Sequence, residues 1–105
     1  MGIQEPRVSI VIVDFKGQRF LPPLFDSLST QIYSDFEIVL VDCEGSLELP
    51  IEFLNLRYRK ISAGENLGFA GGCNLGVQEA LGELIVFLNN DTVVDESWLD
   101  KLVHR

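Results

Sequence analysis

The sequence predicts an α/β fold in which a mostly parallel sheet lies between helices as a three-layer sandwich. Three short segments are rich in β-branched residues and apolar on nearly both faces, as strands inside a covered parallel sheet are: 8–13 (VSIVIV), 36–41 (FEIVLV) and 84–88 (LIVFL). Segments with helical periodicity lie between them. Because 105 residues are enough for one hydrophobic core, the whole chain, 1–105, is predicted to be a single domain.

The segment after the first strand predicts a crossover helix. Apolar residues recur at helical spacing within 19–31 (RFLPPLFDSLSTQ), from Phe20 to Leu28. Two prolines, Pro22 and Pro23, are tolerated in the first turn of a helix, where the missing amide hydrogen has no partner to lose. A weaker strand is predicted at 56–61, after a loop over 45–54 that has few helix signals.

A glycine-rich stretch, ENLGFAGGCNLG at 65–76, follows the weaker strand. Its apolar residues indicate an ordered segment, and they predict a helix over about 69–81 that is closed by Gly82. The stretch matches neither the P-loop nor the dinucleotide fingerprint. We interpret Gly71, Gly72 and Gly76 as positions where the backbone is closely approached, either by the packing of the helix or by a ligand.

A last helix is predicted to be opened by Asp95 and to carry the apolar residues Trp98, Leu99, Leu102 and Val103. The predicted order of elements is therefore β-α-β-β-α-β-α. Right-handed crossover connections then place the three strong strands side by side in the sheet.

The net charge of −8 argues against a nucleic-acid partner, which would need clustered lysine and arginine. The basic residues at 57, 59 and 60 are interpreted as a solvated edge strand. Cys43 and Cys73 match no zinc or redox spacing, so we expect buried free thiols in a reducing, cytoplasmic compartment. The only histidine, His104, is expected on the polar side of the last helix.

Each strong strand is followed by an aspartate: Asp14, Asp42 and Asp91. If the strands are parallel, these carboxylates meet at the carboxyl edge of the sheet, where open α/β sheets bind ligands. A hard divalent cation, Mg²⁺ or Mn²⁺, together with a nucleotide diphosphate would neutralise them. The alternative is that these aspartates form turns or cap helices.

Four blocks, in this order, carry a resemblance to a known family: VSIVIVDFKG, SLSTQIYSDFEIVLVD, ENLGFAGGCNLG and LNNDTVVDESWLDKLV. Together they resemble the amino-terminal, donor-binding half of family 2 glycosyltransferases, particularly the rhamnosyltransferase-like branch. The resemblance implies a GT-A fold, whose nucleotide-binding half is Rossmann-like, here truncated. It also implies inverting transfer of a sugar from a nucleotide diphosphate sugar to a glycan or lipid-linked acceptor.

The resemblance also implies roles for individual residues. The segment NND at 89–91 stands where the family has its metal-binding DxD motif. The implied Mg²⁺ or Mn²⁺ ligand is Asp91, and the implied nucleotide-sugar-binding residues are Asp14, Asp42, Gly68, Asn74 and Asn90. Two departures from the family pattern affect the nucleoside pocket: VDFKG replaces a Thr-x-Asn-like pattern after the first strand, and CEGSLELP replaces an NGSxDGS-like pattern after the second.

The family's general base is expected beyond Arg105, in the acceptor-binding half, so the chain is expected to be inactive alone. The full-length protein would act in the cytoplasm or at the inner face of the membrane. An apolar sheet edge at 84–88 predicts self-association. The alternatives are a nucleotide-binding protein without transferase activity and a receiver-like signalling module that binds Mg²⁺. A receiver would need an acidic pair after its first strand and a lysine after its last, and the sequence has neither.

Overall fold

The computed structural model describes residues 5–45, 47–48 and 56–104. The elements in chain order are β1 (Val8–Asp14), a 3₁₀ turn (Gln18–Phe20), α1 (Leu21–Ser29), β2 (Phe36–Asp42), β3 (Tyr58–Ser62), α2 (Gly68–Glu79), β4 (Leu84–Phe87) and α3 (Trp98–Val103). This order confirms the predicted alternation. The loop predicted over 45–54 lies mostly outside the described residues. Within the described part of the chain, no helix is long and apolar enough to cross a membrane.

The four strands form one parallel sheet in the order β3-β2-β1-β4. The predicted adjacency of the three strong strands is confirmed, with β1 between β2 and β4. In the register of β1 and β2, Asp14 lies beside Asp42. The carboxyl ends of the strands therefore meet at one edge, as the sequence predicts.

Residues of β1 alternate between the two faces of the sheet. On one face, Ile10 and Ile12 are fully buried against Leu24 of α1 and Leu99 of α3 in the main hydrophobic cluster. On the other face, Val11 and Val13 lie under α2. The predicted three-layer sandwich is confirmed.

Helix α2 packs closely on β1 through its glycines. A Cβ on Gly72 would lie 2.5 Å from Cγ1 of Val13, and a Cβ on Gly76 would overlap Cγ1 of Val11. Real Cβ atoms do not approach carbon atoms so closely, so these two positions are glycine because the helix lies against the sheet. Of the two explanations left open by the sequence, helix packing accounts for these two residues.

The prediction that α2 extends to residue 81 and is closed by Gly82 is wrong. The helix ends at Glu79, and Ala80 is already extended. Buried polar groups of the sheet bind the next two amides: the Leu81 N–H donates to Glu37 Oε2 (2.8 Å), and the Gly82 N–H donates to Ser9 Oγ (2.8 Å). These hydrogen bonds draw the chain out of the helix two residues early.

The start of the last helix also differs from the prediction. Helix α3 begins at Trp98 with Ser97 at its N-cap position, rather than at Asp95. The side chain of Asp95 accepts hydrogen bonds from Ser97 N–H (3.1 Å) and Ser97 Oγ (2.6 Å). Asp95 therefore shapes the turn before the helix, and these bonds lower its pKa.

The interpretation of the basic residues at 57, 59 and 60 as part of an edge strand is confirmed, because β3 pairs with β2 alone in the described sheet. Two of these residues are ion-paired and not only solvated. Arg59 donates to Oε1 of the buried Glu37 (3.1 Å), and Lys60 Nζ lies 3.9 Å from Oδ2 of the buried Asp42. Because β3 is the strand next to β2, its long cationic side chains reach carboxylates that would otherwise be buried without a counter-charge.

The two cysteines are free, as predicted, but only Cys43 is buried. Cys73 on α2 is half-buried, and burial raises the pKa of its thiol.

Candidate functional site

Three chain segments meet at the carboxyl edge of the sheet. They follow β1 (14–20), β2 (42–48) and β4 (88–92). A backbone hydrogen bond from Cys43 N–H to the Asp14 carbonyl (3.0 Å) continues the ladder between the first two segments. Their side chains decide which of the predicted site residues are accessible to a ligand.

Asp42 is fully buried, and its carboxylate organises the segment after β2. Its Oδ1 accepts from Glu44 N–H (3.1 Å) and Gly45 N–H (2.7 Å), and its Oδ2 accepts from Leu47 N–H (3.0 Å). Lys60 supplies the counter-charge and donates to the Leu47 carbonyl (2.9 Å). This is the turn-forming role that the sequence left open as an alternative, and the predicted contact with a nucleoside base stays a prediction.

Asp14 is also fully buried, and it joins the segment after β1 to the segment after β4. Its Oδ1 accepts from Asn90 Nδ2 (2.7 Å), and its Oδ2 accepts from Gly17 N–H (3.3 Å). The structure therefore brings together two of the predicted site residues, Asp14 and Asn90, that are distant in sequence.

Gln18 joins the segments after β1 and β2. Its Oε1 accepts from Glu48 N–H (2.9 Å), and its Nε2 donates to the Glu48 carbonyl. The sequence reasoning missed this residue because a single glutamine in a polar segment follows no distinctive pattern. With Gln18 and Asp14, the segment after β1 contacts both neighbouring segments.

Asp91 differs from the other two strand-end aspartates because it is exposed. Among the described residues, its carboxylate has no hydrogen-bond or ion-pair partner. Asn89 is exposed beside it, and the Asn89 carbonyl accepts from Thr92 Oγ1 (2.6 Å). Of the three strand-end aspartates, Asp91 is thus the one whose carboxylate is free within the described chain.

The side chains around Asp91 fit a hard divalent cation that is shared with a ligand. The described residues contain no group of three or more histidine, cysteine, aspartate or glutamate side chains that would enclose a metal by itself. Mg²⁺ and Mn²⁺ in nucleotide sites need no such cage, because one or two carboxylates are supplemented by phosphate oxygens and water. One accessible carboxylate with a neighbouring amide oxygen is sufficient for that arrangement.

Gly68 and Asn74 lie on α2, which begins near the carboxyl edge. Gly68 is exposed and has a φ of +74°, and its N–H donates to Asn66 Oδ1 (3.0 Å). Asn74 is also exposed, two residues from both Gly72 and Gly76, so it lies on the side of α2 that faces away from the sheet. Within the described chain, neither residue contacts the strand-end aspartates, and their predicted roles at the donor stay predictions.

Lys16 is a feature of this edge whose backbone conformation the sequence did not predict. Its φ is +59°, a left-handed conformation that non-glycine residues adopt uncommonly. Its Nζ lies 5.2 Å from the ring centroid of the exposed Phe15. A cation and an aromatic ring therefore stand together directly after Asp14.

A family model described as "Glycosyl transferase family 2" matches residues 9–105. The chain belongs to this family. The family predicted from the four sequence blocks is confirmed, and the comparisons give no support to a receiver-like module. Among curated relatives of this glycosyltransferase domain, "O-antigen biosynthesis protein RfbC" of Myxococcus xanthus is 39% identical over 107 residues, which cover 95% of this chain and 8% of that protein.

Solved structures show the same fold. "TarS 1-349" of S. aureus, in complex with UDP-GlcNAc, matches with a TM-score of 0.79 at 20% identity, over 93% of this chain and 30% of that one. The mannosyltransferase PcManGT of Pyrobaculum calidifontis, in complex with GDP-Man and Mn²⁺, matches with a TM-score of 0.70 at 21% identity, over 86% and 29% of the two chains. The GT-A, Rossmann-like fold is thereby confirmed, and this glycosyltransferase domain spans about a third of either chain.

Proposed function

We propose that this chain is the donor-binding part of an inverting glycosyltransferase that transfers a sugar from a nucleotide diphosphate sugar to a glycan or lipid-linked acceptor. The observation that carries the proposal is that the three strand-end aspartates differ in burial and in hydrogen bonding. Asp14 and Asp42 are buried and hydrogen-bonded within the protein, whereas Asp91 is exposed at the ligand edge without a partner among the described residues.

In this proposal, Asp91 holds Mg²⁺ or Mn²⁺ together with the donor's diphosphate. When bound, the cation neutralises the charge that develops on the departing nucleotide diphosphate. The hydrogen bonds of Asp14, Gln18 and Asp42 order the segments around the donor before it binds, so that less conformational entropy is lost on binding. The ammonium group of Lys16 adds positive charge to an acidic rim.

Two further observations support a nucleotide-sugar donor. TarS and PcManGT, which share the fold, are in complex with UDP-GlcNAc and with GDP-Man and Mn²⁺ respectively. RfbC is named as a protein of O-antigen biosynthesis, which favours a bacterial polysaccharide as the product.

The acceptor hydroxyl needs a general base, which we propose to lie outside residues 1–105. Asp14 and Asp42 are unsuited to that role because both are fully buried and hydrogen-bonded within the protein. His104 is exposed on the last turn after α3, where its Nε2 lies 3.5 Å from Asp100 Oδ1, and this position agrees with the predicted surface role.

Calorimetric titration of the chain tests the proposal, with UDP, dTDP and GDP each titrated with and without Mn²⁺. We expect one nucleotide to bind in a Mn²⁺-dependent manner. Asp91→Asn should weaken that binding by about tenfold or more, because a charged ligand of the cation is lost.

Asp26→Asn is the matched control, since Asp26 is an exposed aspartate on α1. It should bind as the unaltered chain does. Mn²⁺-dependent binding that is unchanged in Asp91→Asn, or equally weakened in both variants, would contradict the role of Asp91.

We also propose that a second copy of the chain covers the outer edge of β4. In the described sheet, β4 pairs with β1 alone, so its other edge is open to an antiparallel β4 related by a two-fold axis. Leu84 and Phe87 are 38% and 49% exposed there. An apolar groove of about 400 Å³ lies between the strand and α3. A second groove, of about 450 Å³, lies beside α3 and shares Leu102 with the first.

A further inference from the structure

The contact between Asp14 and Asn90 joins residues that are 76 positions apart in the sequence. Asn90 lies between Asn89 and Asp91, in the turn after β4. Its side chain is directed inward, where its Nδ2 donates to Asp14 Oδ1 at 2.7 Å. Asp91, the next residue, is exposed.

Gly17 leaves the space in which this contact forms. A Cβ on Gly17 would lie 2.5 Å from Asp14 Oδ1 and closer still to Asn90 Nδ2. The Gly17 N–H donates to the second carboxylate oxygen of Asp14 (3.3 Å). The two backbone segments therefore meet around one carboxylate, and Gly17 is small enough to allow it.

We propose that Asp14 is a positioning residue: through Asn90 it holds the turn at 89–91 in one conformation and so presents the Asp91 carboxylate to the cation and the donor diphosphate. The inference rests on the proposed function of Asp91. It differs from the role that the family resemblance implies for Asp14, because Asp14 acts here through another residue and not by touching the nucleotide.

Burial and charge favour this role over direct contact with a ligand. Asp14 has no exposed surface, so a ligand would reach its carboxylate only by displacing Asn90 or Gly17. A hydrogen bond to a buried carboxylate is stronger than one between neutral groups. Releasing Asn90 would also leave the buried charge of Asp14 with one hydrogen-bond donor fewer. Because that loss is costly, the turn is stabilised in the conformation that keeps the bond.

An exchange of the two side chains tests the contact without any ligand. In Asp14→Asn, one of the two acceptor oxygens is lost, and in Asn90→Asp, two carboxylates face each other. In the double variant, the amide of residue 14 can donate to the carboxylate of residue 90 and still accept from Gly17 N–H. Asn90→Ala also removes the contact. Because Asn90 is only half-buried, whereas Asp14 is buried, this substitution should affect folding least.

The first readout is the ¹⁵N heteronuclear NOE of the amides at 89–92 in the ligand-free chain. We expect values typical of rigid backbone in the unaltered chain and in the exchanged double variant. The single variants and Asn90→Ala should have lowered values confined to this turn. A turn that is equally rigid in all of them would overturn the inference.

The second readout is Mn²⁺-dependent nucleotide binding by the variants that fold. Asp14→Asn and Asn90→Ala should each weaken it by about tenfold, as expected when one charge-assisted hydrogen bond no longer orders the site. Ser9→Ala is the control: it removes the hydrogen bonds of Ser9 Oγ with Glu37 and Gly82, near the amino ends of the strands, so it should lower the melting temperature without weakening binding.

The outcomes separate this inference from the proposed function. If the unaltered chain binds no nucleotide with Mn²⁺, the proposed function fails, and the NOE result alone decides whether Asp14 orders the turn. If the unaltered chain binds and the variants loosen the turn without weakening binding, Asp14 does not position Asp91 and the inference is wrong.

Discussion

Glu37 is a buried charge that ties the sheet to the connection between α2 and β4. Its Oε2 accepts from Ser9 Oγ (2.6 Å) and Leu81 N–H (2.8 Å), and its Oε1 accepts from Arg59 (3.1 Å). Burial alone would raise the pKa of Glu37, but these hydrogen bonds and the Arg59 charge together hold its pKa below the ordinary value of 4.5. The folded state therefore favours the ionised carboxyl.

This lowered pKa makes the stability of the protein depend on pH. The contribution of ionised Glu37 is fully present above pH 4.5, its ordinary pKa, and is lost as the pH falls through its lower pKa in the folded state. At neutral pH, Glu37→Gln should lower the free energy of unfolding by about 1–3 kcal/mol, since the charge and one of the two acceptor oxygens of this buried group are lost. The difference between the two proteins should shrink in acid.

Urea unfolding at a series of pH values from neutral to acid measures this difference. Glu65→Gln is the control, because Glu65 is exposed, and it should have the same pH dependence as the unaltered chain. A difference between the unaltered chain and Glu37→Gln that stays constant into acid would show that the charge of Glu37 contributes nothing.

The sequence predicted that the strand-end aspartates share one edge, but it did not predict their different environments. Helical crossover connections make the strong strands parallel, so all three end at the same edge of the sheet, which is sufficient to place Asp14, Asp42 and Asp91 together. Which of them is buried depends on contacts over long separations, such as Asn90 with Asp14 and Lys60 with Asp42. No local pattern encodes those contacts.

At the level of elements, α2 packs closely against β1 because two of the residues that face the strand are glycines, which have no side chain to separate the helix from the strand. Gly72 and Gly76 are one helical turn apart and face Val13 and Val11. Glycine is unfavourable inside a helix by roughly 1 kcal/mol relative to alanine, so this helix gives up local stability for close packing. The sequence showed the glycines but could not show whether a ligand or the sheet approached them.

Gly76→Ala should destabilise the protein despite the higher helix propensity of alanine. The new methyl group would overlap Cγ1 of Val11, and overpacking of this kind costs about 1–3 kcal/mol. Val11→Ala combined with Gly76→Ala should recover part of the loss, because the nearest remaining atom, Val11 Cβ, would lie 3.4 Å away. Thermal and urea unfolding of both single variants and the double variant measure the coupling.

Gln78→Ala is the matched control on α2, since Gln78 is exposed. It should have little effect on stability. If the stability losses of Gly76→Ala and Val11→Ala simply add in the double variant, the helix moves away from the strand to accept the methyl group. The close contact would then not be required.

The ends of α2 and α3 show where local sequence rules fail in this fold. Gly82 and Asp95 are good signals for a helix end and a helix start, yet both act elsewhere. The amide of Gly82 binds Ser9, and Asp95 shapes the turn at Ser97. Buried polar groups in the sheet and the turn geometry before α3 outweigh the capping preferences, and only the three-dimensional structure reveals their positions.

For the whole molecule, the outer edge of β4 is the surface through which we propose that two copies of the chain associate in solution. An open parallel edge with exposed apolar side chains favours pairing, because an added strand satisfies backbone groups and covers Leu84 and Phe87 together. The net charge of −8 opposes association through mutual repulsion, so added salt should favour it.

Phe87→Lys should therefore abolish self-association, since it places a charge where two copies of β4 would meet. Sedimentation velocity over a wide range of concentrations should show the unaltered chain shifting toward a dimer, more so at higher salt, and Phe87→Lys remaining monomeric. Phe69→Lys is the matched control, because Phe69 is 58% exposed on α2, outside the β4 surface, and the same substitution changes the charge equally. A monomeric unaltered chain at every concentration, or a dimer that both variants disrupt alike, would show that a second copy does not cover the β4 edge.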